Sequence, residues 1–222
     1  MRDSLLIFRL VDRGGYGAHR MGTGRYIALE GSEACGKSTH AALLANDLGA
    51  LLTRETGGTV IGGRIRKILH DTATTGLASR AEALLTAADR AQHLHEVVGP
   101  ALAGGRHVVS DRSVYSTLAY QGFGRGLDVG EVREVNDWAI EGRWPDLAIF
   151  IDVEPEVLVT RLRKRTLDRF ELEDEAFHAR VRDGFHTMAR TEPEQWAVVD
   201  GHLDRVLVAA QIRAVVRERL DV

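Results

Sequence analysis

The octapeptide Gly31-Ser32-Glu33-Ala34-Cys35-Gly36-Lys37-Ser38 constrains this chain more than any other feature. It fits G-x-x-x-x-G-K-[ST], a loop whose backbone N–H groups turn inward around phosphate oxygens. Such a loop belongs between a buried strand and a helix, because the helix N-terminus adds its partial positive charge to the cradle. The flanking residues supply both. Arg25–Glu30 (RYIALE) is a short, partly apolar run that ends at glycine and reads as a strand. Ser38–Leu48 reads as a helix, apolar at Ala42, Leu43 and Leu44. Average residue usage would produce the octapeptide by chance in a chain of this length with a probability on the order of one per cent. Residues Gly31, Ser32, Glu33, Ala34, Cys35, Gly36, Lys37, Ser38 and Thr39 are therefore the expected ATP-binding set, with Lys37 as the mobile charge and the Ser38 hydroxyl as a ligand for Mg²⁺.

The rest of the chain continues the alternation. Ala50–Thr53, Arg106–Ser110, Leu147–Val153 and Ala197–Val199 read as strands. Val60–His70, Arg80–Ala103, Leu127–Glu141, a helix opened by Pro155, and Arg205–Leu220 read as helices. Gly122-Phe123-Gly124-Arg125 reads as a flexible loop. Strands alternating with helices imply a parallel sheet covered on both faces. There is no repeat or interdomain linker, so residues 21–222 are expected to form one α/β domain. The apolar stretch near the N-terminus is short and broken by Arg9, Asp12 and Arg13, which makes it a poor signal peptide; residues 1–20 are expected to be an extension outside the core, with Met21 as an alternative start.

Charge narrows the partners. The formal net charge of -3 creates no global pull toward nucleic acid or an anionic membrane, so a bound anion must be held by a local basic cluster. No apolar run is long enough for a membrane span. The single cysteine, Cys35, rules out an internal disulfide framework and suits a reducing cytoplasm. It reads as a small residue filling a loop position. The histidines lack metal-ligand spacing; His93 and His95, two apart on a helix, face different directions. Trp138, Trp144 and Trp196 read as core or interface anchors.

Two further constellations carry chemistry. Asp111-Arg112 closes the strand Arg106–Ser110, at the end of a parallel sheet that faces the ligand crevice. Asp111 there can hold Mg²⁺ or its water shell, and Arg112 can grip a phosphate by two prongs. Arg161, Arg163, Lys164 and Arg165, followed by Asp168-Arg169-Phe170-Glu171, form a basic segment. Phosphoryl transfer needs cations around the migrating group. The phosphate loop offers Glu33 and Ala34 where a loop arginine could have stood, so this segment is the expected source of that charge, as a lid at about 160–172.

These residues together resemble the thymidylate kinase family of P-loop nucleoside-monophosphate kinases. The resemblance runs from Arg25 to about Leu220, through Ile27-Ala28-Leu29-Glu30-Gly31, Thr53-Arg54-Glu55-Thr56-Gly57-Gly58-Thr59, Ala87-Ala88-Asp89-Arg90-Ala91-Gln92, Asp111-Arg112-Ser113, Ala119-Tyr120-Gln121-Gly122 and Leu167-Asp168-Arg169-Phe170-Glu171. It implies ATP- and Mg²⁺-dependent phosphorylation of dTMP to dTDP, a three-layer α/β/α fold around a five-stranded parallel sheet with a short basic lid, a cytoplasmic location and a homodimer. It assigns catalysis to Lys37, Asp111, Arg112 and Arg165, and metal binding to Ser38 and Asp111. Arg66, Arg90 and Arg112 would hold the acceptor phosphate, Glu33 would lie near the sugar 3′-hydroxyl, and Tyr120 would pack at the 2′ position. Thr86, Thr117 and Gln121 would line the base site. Arg161 would sit near the donor nucleotide, and the His40–Leu48 helix and Asp200-Gly201 would flank the donor side.

Four positions depart from the family pattern. Thr56 stands where proline is usual, which frees the turn. Thr86 stands where a phenylalanine usually stacks on the base, which removes roughly 1 kcal/mol of aromatic contact. Gly62 and Gly63 replace helix-forming residues ahead of Arg66. The lid is about one residue short. The departures fall on the acceptor side and admit a second reading, a kinase for a modified pyrimidine nucleotide or another small acceptor. A third reading is a non-catalytic ATP-binding regulatory protein.

Overall fold

The computed structural model describes residues 24–162 and 167–222, with backbone alone for 159–162. The expected extension 1–20 lies outside the described residues. Five strands, β1 (Tyr26–Glu30), β2 (Leu51–Arg54), β3 (Val108–Asp111), β4 (Leu147–Asp152) and β5 (Trp196–Asp200), form one sheet in the order β2-β3-β1-β4-β5. Every pairing in it is parallel. The middle strand β1 is buried along its whole length, as a parallel strand covered on both faces must be.

The helices are α1 (Lys37–Leu48), α2 (Val60–His70), α3 (Ser79–His93), α4 (Gly99–Ala103), α5 (Val114–Thr117), α6 (Val129–Ala139), α7 (Pro155–Leu162), α8 (Glu175–Thr191) and α9 (Arg205–Leu220). Alternation along β4 sorts them into two layers. Leu147, Ile149 and Ile151 pack with Leu44 of α1 and Ile212 of α9. Ala148 and Phe150 face the other way, onto Leu118, Val181 and Phe185. The result is the expected α/β/α sandwich.

The helix expected over Arg80–Ala103 is interrupted. A π-helical turn, Leu94–Val98, separates α3 from α4, and Pro100, which has no N–H to give, sits in α4's first turn. The stretch Gly122–Arg125 is not the flexible loop that its glycines suggest. A second π-helical stretch, Leu118–Gly124, runs through it and packs against α8, a helix that the sequence reading did not anticipate. A Cβ on Gly124 would meet Phe177 at 2.7 Å, and one on Gly184 would meet Phe123 at 2.7 Å. These glycines allow close approach rather than motion.

The register places the site. Leu29 and Arg54 both lie level with Asp111, so Glu30, Asp111 and Arg54 emerge together at the carboxyl end of the sheet. From β1 the chain crosses to β2 on one side; from β3 it crosses to β4 on the other. A crevice opens where the connections diverge.

Candidate active site

The Gly31–Ser38 loop leaves β1 and enters α1 as expected. Gly31 and Gly36 hold φ of 145° and 103°. A Cβ on Gly31 would stand 2.8 Å from the Ile151 carbonyl oxygen, so glycine is obligatory there. No side chain caps α1 at Gly36 and its first turn has no acidic residue. Its N–H groups are thus directed at whatever anion enters the loop. Lys37 lies inside the loop, its Nζ donating to Ser32 O at 2.7 Å, with the Cys35 Sγ at 3.7 Å. Cys35 is buried in the core beneath the loop, the packing role expected of it. Ser38 Oγ donates to Asp111 Oδ2 at 2.5 Å, so the two expected metal ligands converge.

Arg112 organises the middle of the crevice. Its backbone is left-handed, with φ of 73°, and its N–H is pinned to Leu29 O at 2.9 Å. This turn sends the guanidinium back across the loop. There it donates to Gly31 O (3.1 Å), Ser116 Oγ (3.0 Å), Tyr120 OH (2.9 Å) and the Glu33 carboxylate. Burial alone would raise the Glu33 pKa, but Arg112 and Lys37 overcome it and hold the carboxyl at about 2. Beyond Arg112 lies Arg66, which donates to Thr56 O at 3.2 Å. Burial and the nearby Arg54 cation push its pKa down. The cationic side chains at this end repel one another, and an incoming phosphate would relieve that repulsion.

Thr56 does not leave its turn loose. Gly57 N donates to Asp89 Oδ1 at 2.9 Å, Arg66 grips the Thr56 carbonyl, and Thr59 caps α2 through Gly62 N at 2.9 Å. Gly62 has its own reason: any side chain there would collide with the Asp89 carboxylate. Gly63 faces open space, and nothing in the structure explains it.

The far wall is a dense hydrogen-bond network. Arg90 donates to Glu55 Oε2 (2.6 Å), Thr117 Oγ1 (3.0 Å), Asn136 Oδ1 (2.5 Å) and Ser113 O (3.0 Å). Glu55 is held in turn by His93 Nδ1 at 2.9 Å, whose Nε2 meets Thr53 Oγ1 at 2.6 Å. Arg90 is therefore held as firmly as Arg112, by four hydrogen bonds, one of them to a carboxylate partner, whereas Arg66 is bonded to Thr56 alone. The Thr86 hydroxyl is bonded to Ala83 O at 2.7 Å, leaving its methyl as its apolar offering. Gln121 Nε2 donates to Glu82 Oε1 at 2.8 Å, while Gln121 Oε1 is buried with no partner.

Behind this wall, Glu82 also accepts from Arg169 Nη2 at 2.6 Å, and Asp168 pairs with His70 Nδ1 at 2.7 Å. The residues that follow the basic segment are thus anchored to α2 and α3. The side chain of Arg161, and Arg163, Lys164 and Arg165 entirely, lie outside the described residues. Apart from Gly31, Ser32 and Cys35, the remaining expected residues, from Lys37 and Ser38 through Arg112 to Arg66, Thr86 and Gln121, line one cavity of about 480 Å³. Glu30, Glu55, Glu82 and His93 were missed by sequence reading. Their signal was a charged side chain at a position that ought to be buried, such as Glu30 at the end of an apolar strand.

Comparison with known proteins agrees with this geometry. The family model described as "Thymidylate kinase" matches residues 29–212. Thymidylate kinase from Trichlorobacter lovleyi is 46% identical over 209 residues, covering 89% of this chain and 99% of that protein. The Oleidesulfovibrio alaskensis enzyme is 43% identical over 206 residues, covering 87% and 97%. The crystal structure of thymidylate kinase from Ehrlichia chaffeensis superposes with a TM-score of 0.73 at 30% identity, covering 87% of this chain and 98% of that one.

Proposed function

This chain belongs to the thymidylate kinase family, and we propose that it transfers the γ-phosphoryl group of ATP to dTMP, giving ADP and dTDP. The observation that supports this best is the single cavity that joins a phosphate loop to a separate pair of cationic side chains, Arg66 and Arg112. The ATP triphosphate lies in the loop, against Lys37 and the N-terminus of α1. The dTMP phosphate lies on Arg66 and Arg112. One of its oxygens attacks the γ-phosphorus in line; a new P–O bond forms as the bond to the β-phosphate oxygen breaks. The nucleophile is already an anion, so no strong general base is required.

Ser38 and Asp111 suit Mg²⁺. They are hard oxygen donors, and this ion is usually held by one or two carboxylates plus substrate phosphates rather than by an all-protein cage. Among the described residues no group of three or more His, Cys, Asp or Glu side chains competes for that role. When bound, the ion supplies positive charge to the β- and γ-phosphate oxygens.

The unpartnered Gln121 Oε1 supports the acceptor base. Glu82 fixes the amide so that this buried oxygen can only accept. Thymine offers an imide N–H there, whereas cytosine offers a lone pair. Tyr120 packs at the 2′ position and Glu33 faces the 3′-hydroxyl. Arg90, which lines the same cavity and is bonded to Thr117, is assigned with Arg66 and Arg112 to the acceptor phosphate. Arg165 and Arg161 are assigned to the transferred phosphoryl group and the donor nucleotide.

A homodimer accompanies this reading. The neighbouring helices α2, α3 and α6 expose Val60, Ile61, Leu84, Val135 and Trp138, apolar side chains that a second copy would cover. A cytoplasmic location also accompanies it, in keeping with the lone free thiol of Cys35. Among the described residues no helix is long and apolar enough to cross a membrane. The test is a panel of deoxynucleoside monophosphates with ATP and Mg²⁺. ADP should form fastest with dTMP; no ADP above background with dTMP or dUMP overturns the proposal. Tight ATP binding without transfer to any acceptor would instead support the regulatory reading, which the convergence of Lys37, Asp111 and Arg112 disfavours.

A further inference from the structure

Glu30 is fully buried at the end of β1, one residue before the phosphate loop, and the transfer mechanism above gives it no task. Both of its carboxylate oxygens are occupied. Ser113 Oγ donates to Oε1 at 2.7 Å and Ser116 Oγ donates to Oε2 at 2.6 Å. Ser116 Oγ in turn accepts from Arg112 Nη1 at 3.0 Å. The direction of these bonds follows from chemistry. An ionised carboxylate can only accept, so each serine must turn its one O–H toward Glu30. Ser116 then has only lone pairs left for Arg112, which suits a guanidinium that can only donate. The same arrangement reaches the far wall, because the Ser113 carbonyl accepts from Arg90 Nη2 at 3.0 Å.

We propose that Glu30 is a positioning residue for the acceptor phosphate: its buried carboxylate orients the Ser116 hydroxyl, and through it the Arg112 guanidinium, toward the incoming monophosphate. The inference rests on the reading of Arg112 as an acceptor-phosphate ligand. Burial raises the Glu30 pKa to about 7, against the opposing pull of the two serine hydroxyls, Arg112 and Lys37. The titratable groups facing it are Tyr26 on its own strand, Lys37 from α1, Arg112 beyond β3 and Tyr115 from α5. Protonation gives the carboxyl a donor of its own, and the obligatory direction of the Ser116 bond is lost. Acceptor binding should therefore strengthen as pH rises through about 7 and weaken below it.

Steady-state kinetics of the full chain with ATP, Mg²⁺ and dTMP, from pH 5.5 to 8.5, test this in wild type, Glu30→Gln and Ser116→Ala. At pH 8 we expect Glu30→Gln to raise the dTMP KM about tenfold, the scale of one hydrogen bond to a charged group, with the ATP KM unchanged. Its kcat/KM for dTMP should lack the inflection near pH 7 expected of wild type. The second ionisation of the acceptor phosphate, common to both proteins, remains. Ser116→Ala should have a similar effect, and the double variant should be no worse than either single one. Stability separates positioning from scaffolding. A buried carboxyl with a raised pKa opposes folding once ionised, so Glu30→Gln should resist urea at pH 8 at least as well as wild type. An unchanged dTMP KM and pH profile in both variants overturns the inference while leaving the acceptor reading intact. So does an equal loss of ATP and dTMP binding with lowered stability. No transfer to dTMP by wild type overturns both.

Discussion

Two lysine and arginine side chains show how differently the ends of the crevice are built. Lys37, at the donor end, reaches a backbone carbonyl and a thiol. Arg90, at the acceptor end, makes four hydrogen bonds, and its principal partner Glu55 is itself held by His93. The donor end leaves charge and N–H groups uncommitted for a ligand. The acceptor end ties its charges into pairs, Arg90 with Glu55 and Arg112 with Glu33, and leaves one buried amide oxygen, Gln121 Oε1, without a partner. A site that stabilises migrating charge must keep unsatisfied donors. A site that selects among similar bases must hold rigid partners in place. The donor end should therefore be sensitive in rate and the acceptor end in stability.

The sharpest break of that comparison is Lys37→Ala. It should lower kcat/KM by about 10³-fold, comparable to deleting a preorganised cation in other phosphoryl transferases, while the urea midpoint barely changes. Unchanged turnover would remove Lys37 from the mechanism. The converse experiment is Glu55→Ala. It strands Arg90, buried and without its carboxylate, and should destabilise the fold by about 3 kcal/mol or more, read from urea denaturation. If Glu55→Ala folded as stably as wild type, the wall would not be the rigid support described above.

Acid sharpens the contrast at the boundary between the ends. The Glu33 pKa is depressed from 4.5 to about 2, so the native state binds fewer protons than the unfolded chain in that window. Its contribution to stability is complete above about pH 4.5 and is lost as pH falls toward 2. Glu33→Gln should flatten that part of the stability curve and leave the curve above pH 5 parallel to wild type. An identical acid limb in the two proteins would show that the Arg112–Glu33 pair contributes nothing to folding.

The same contrast decides what could be read from the sequence. The donor end is local: strand, loop and helix are contiguous, and the glycines identify the backbone geometry directly. The parallel sheet and its helical cover followed from alternation, with α2 and α9 matching over their full lengths. The acceptor wall is assembled from side chains 35 and 38 residues apart, Arg90 with Glu55 and His93 with Glu55, and no spacing announces such pairs. Gly124 and Gly184 look like breakers until their neighbours across the packing interface are known. Helix α8 did carry a signal, since Phe177, Val181, Phe185 and Met188 recur at helical spacing and are all buried; its many charges obscured it.

Thr86 gives the smallest and most discriminating test. Its hydroxyl is satisfied by Ala83 O, which leaves a methyl for the cavity that Gln121 and Arg112 also line. Replacing it with phenylalanine adds a ring face where the family usually has one. If the base lies against this wall, Thr86→Phe should tighten dTMP binding by about 1 kcal/mol, roughly fivefold in KM, and leave ATP affinity and Lys37-dependent rate unchanged. Calorimetric titration with dTMP and with a monophosphate lacking an aromatic base separates stacking from general crowding, since only the former should gain. Weaker binding of dTMP would mean that no vacant stacking slot lies beside Thr86 and that this wall is shaped for another acceptor.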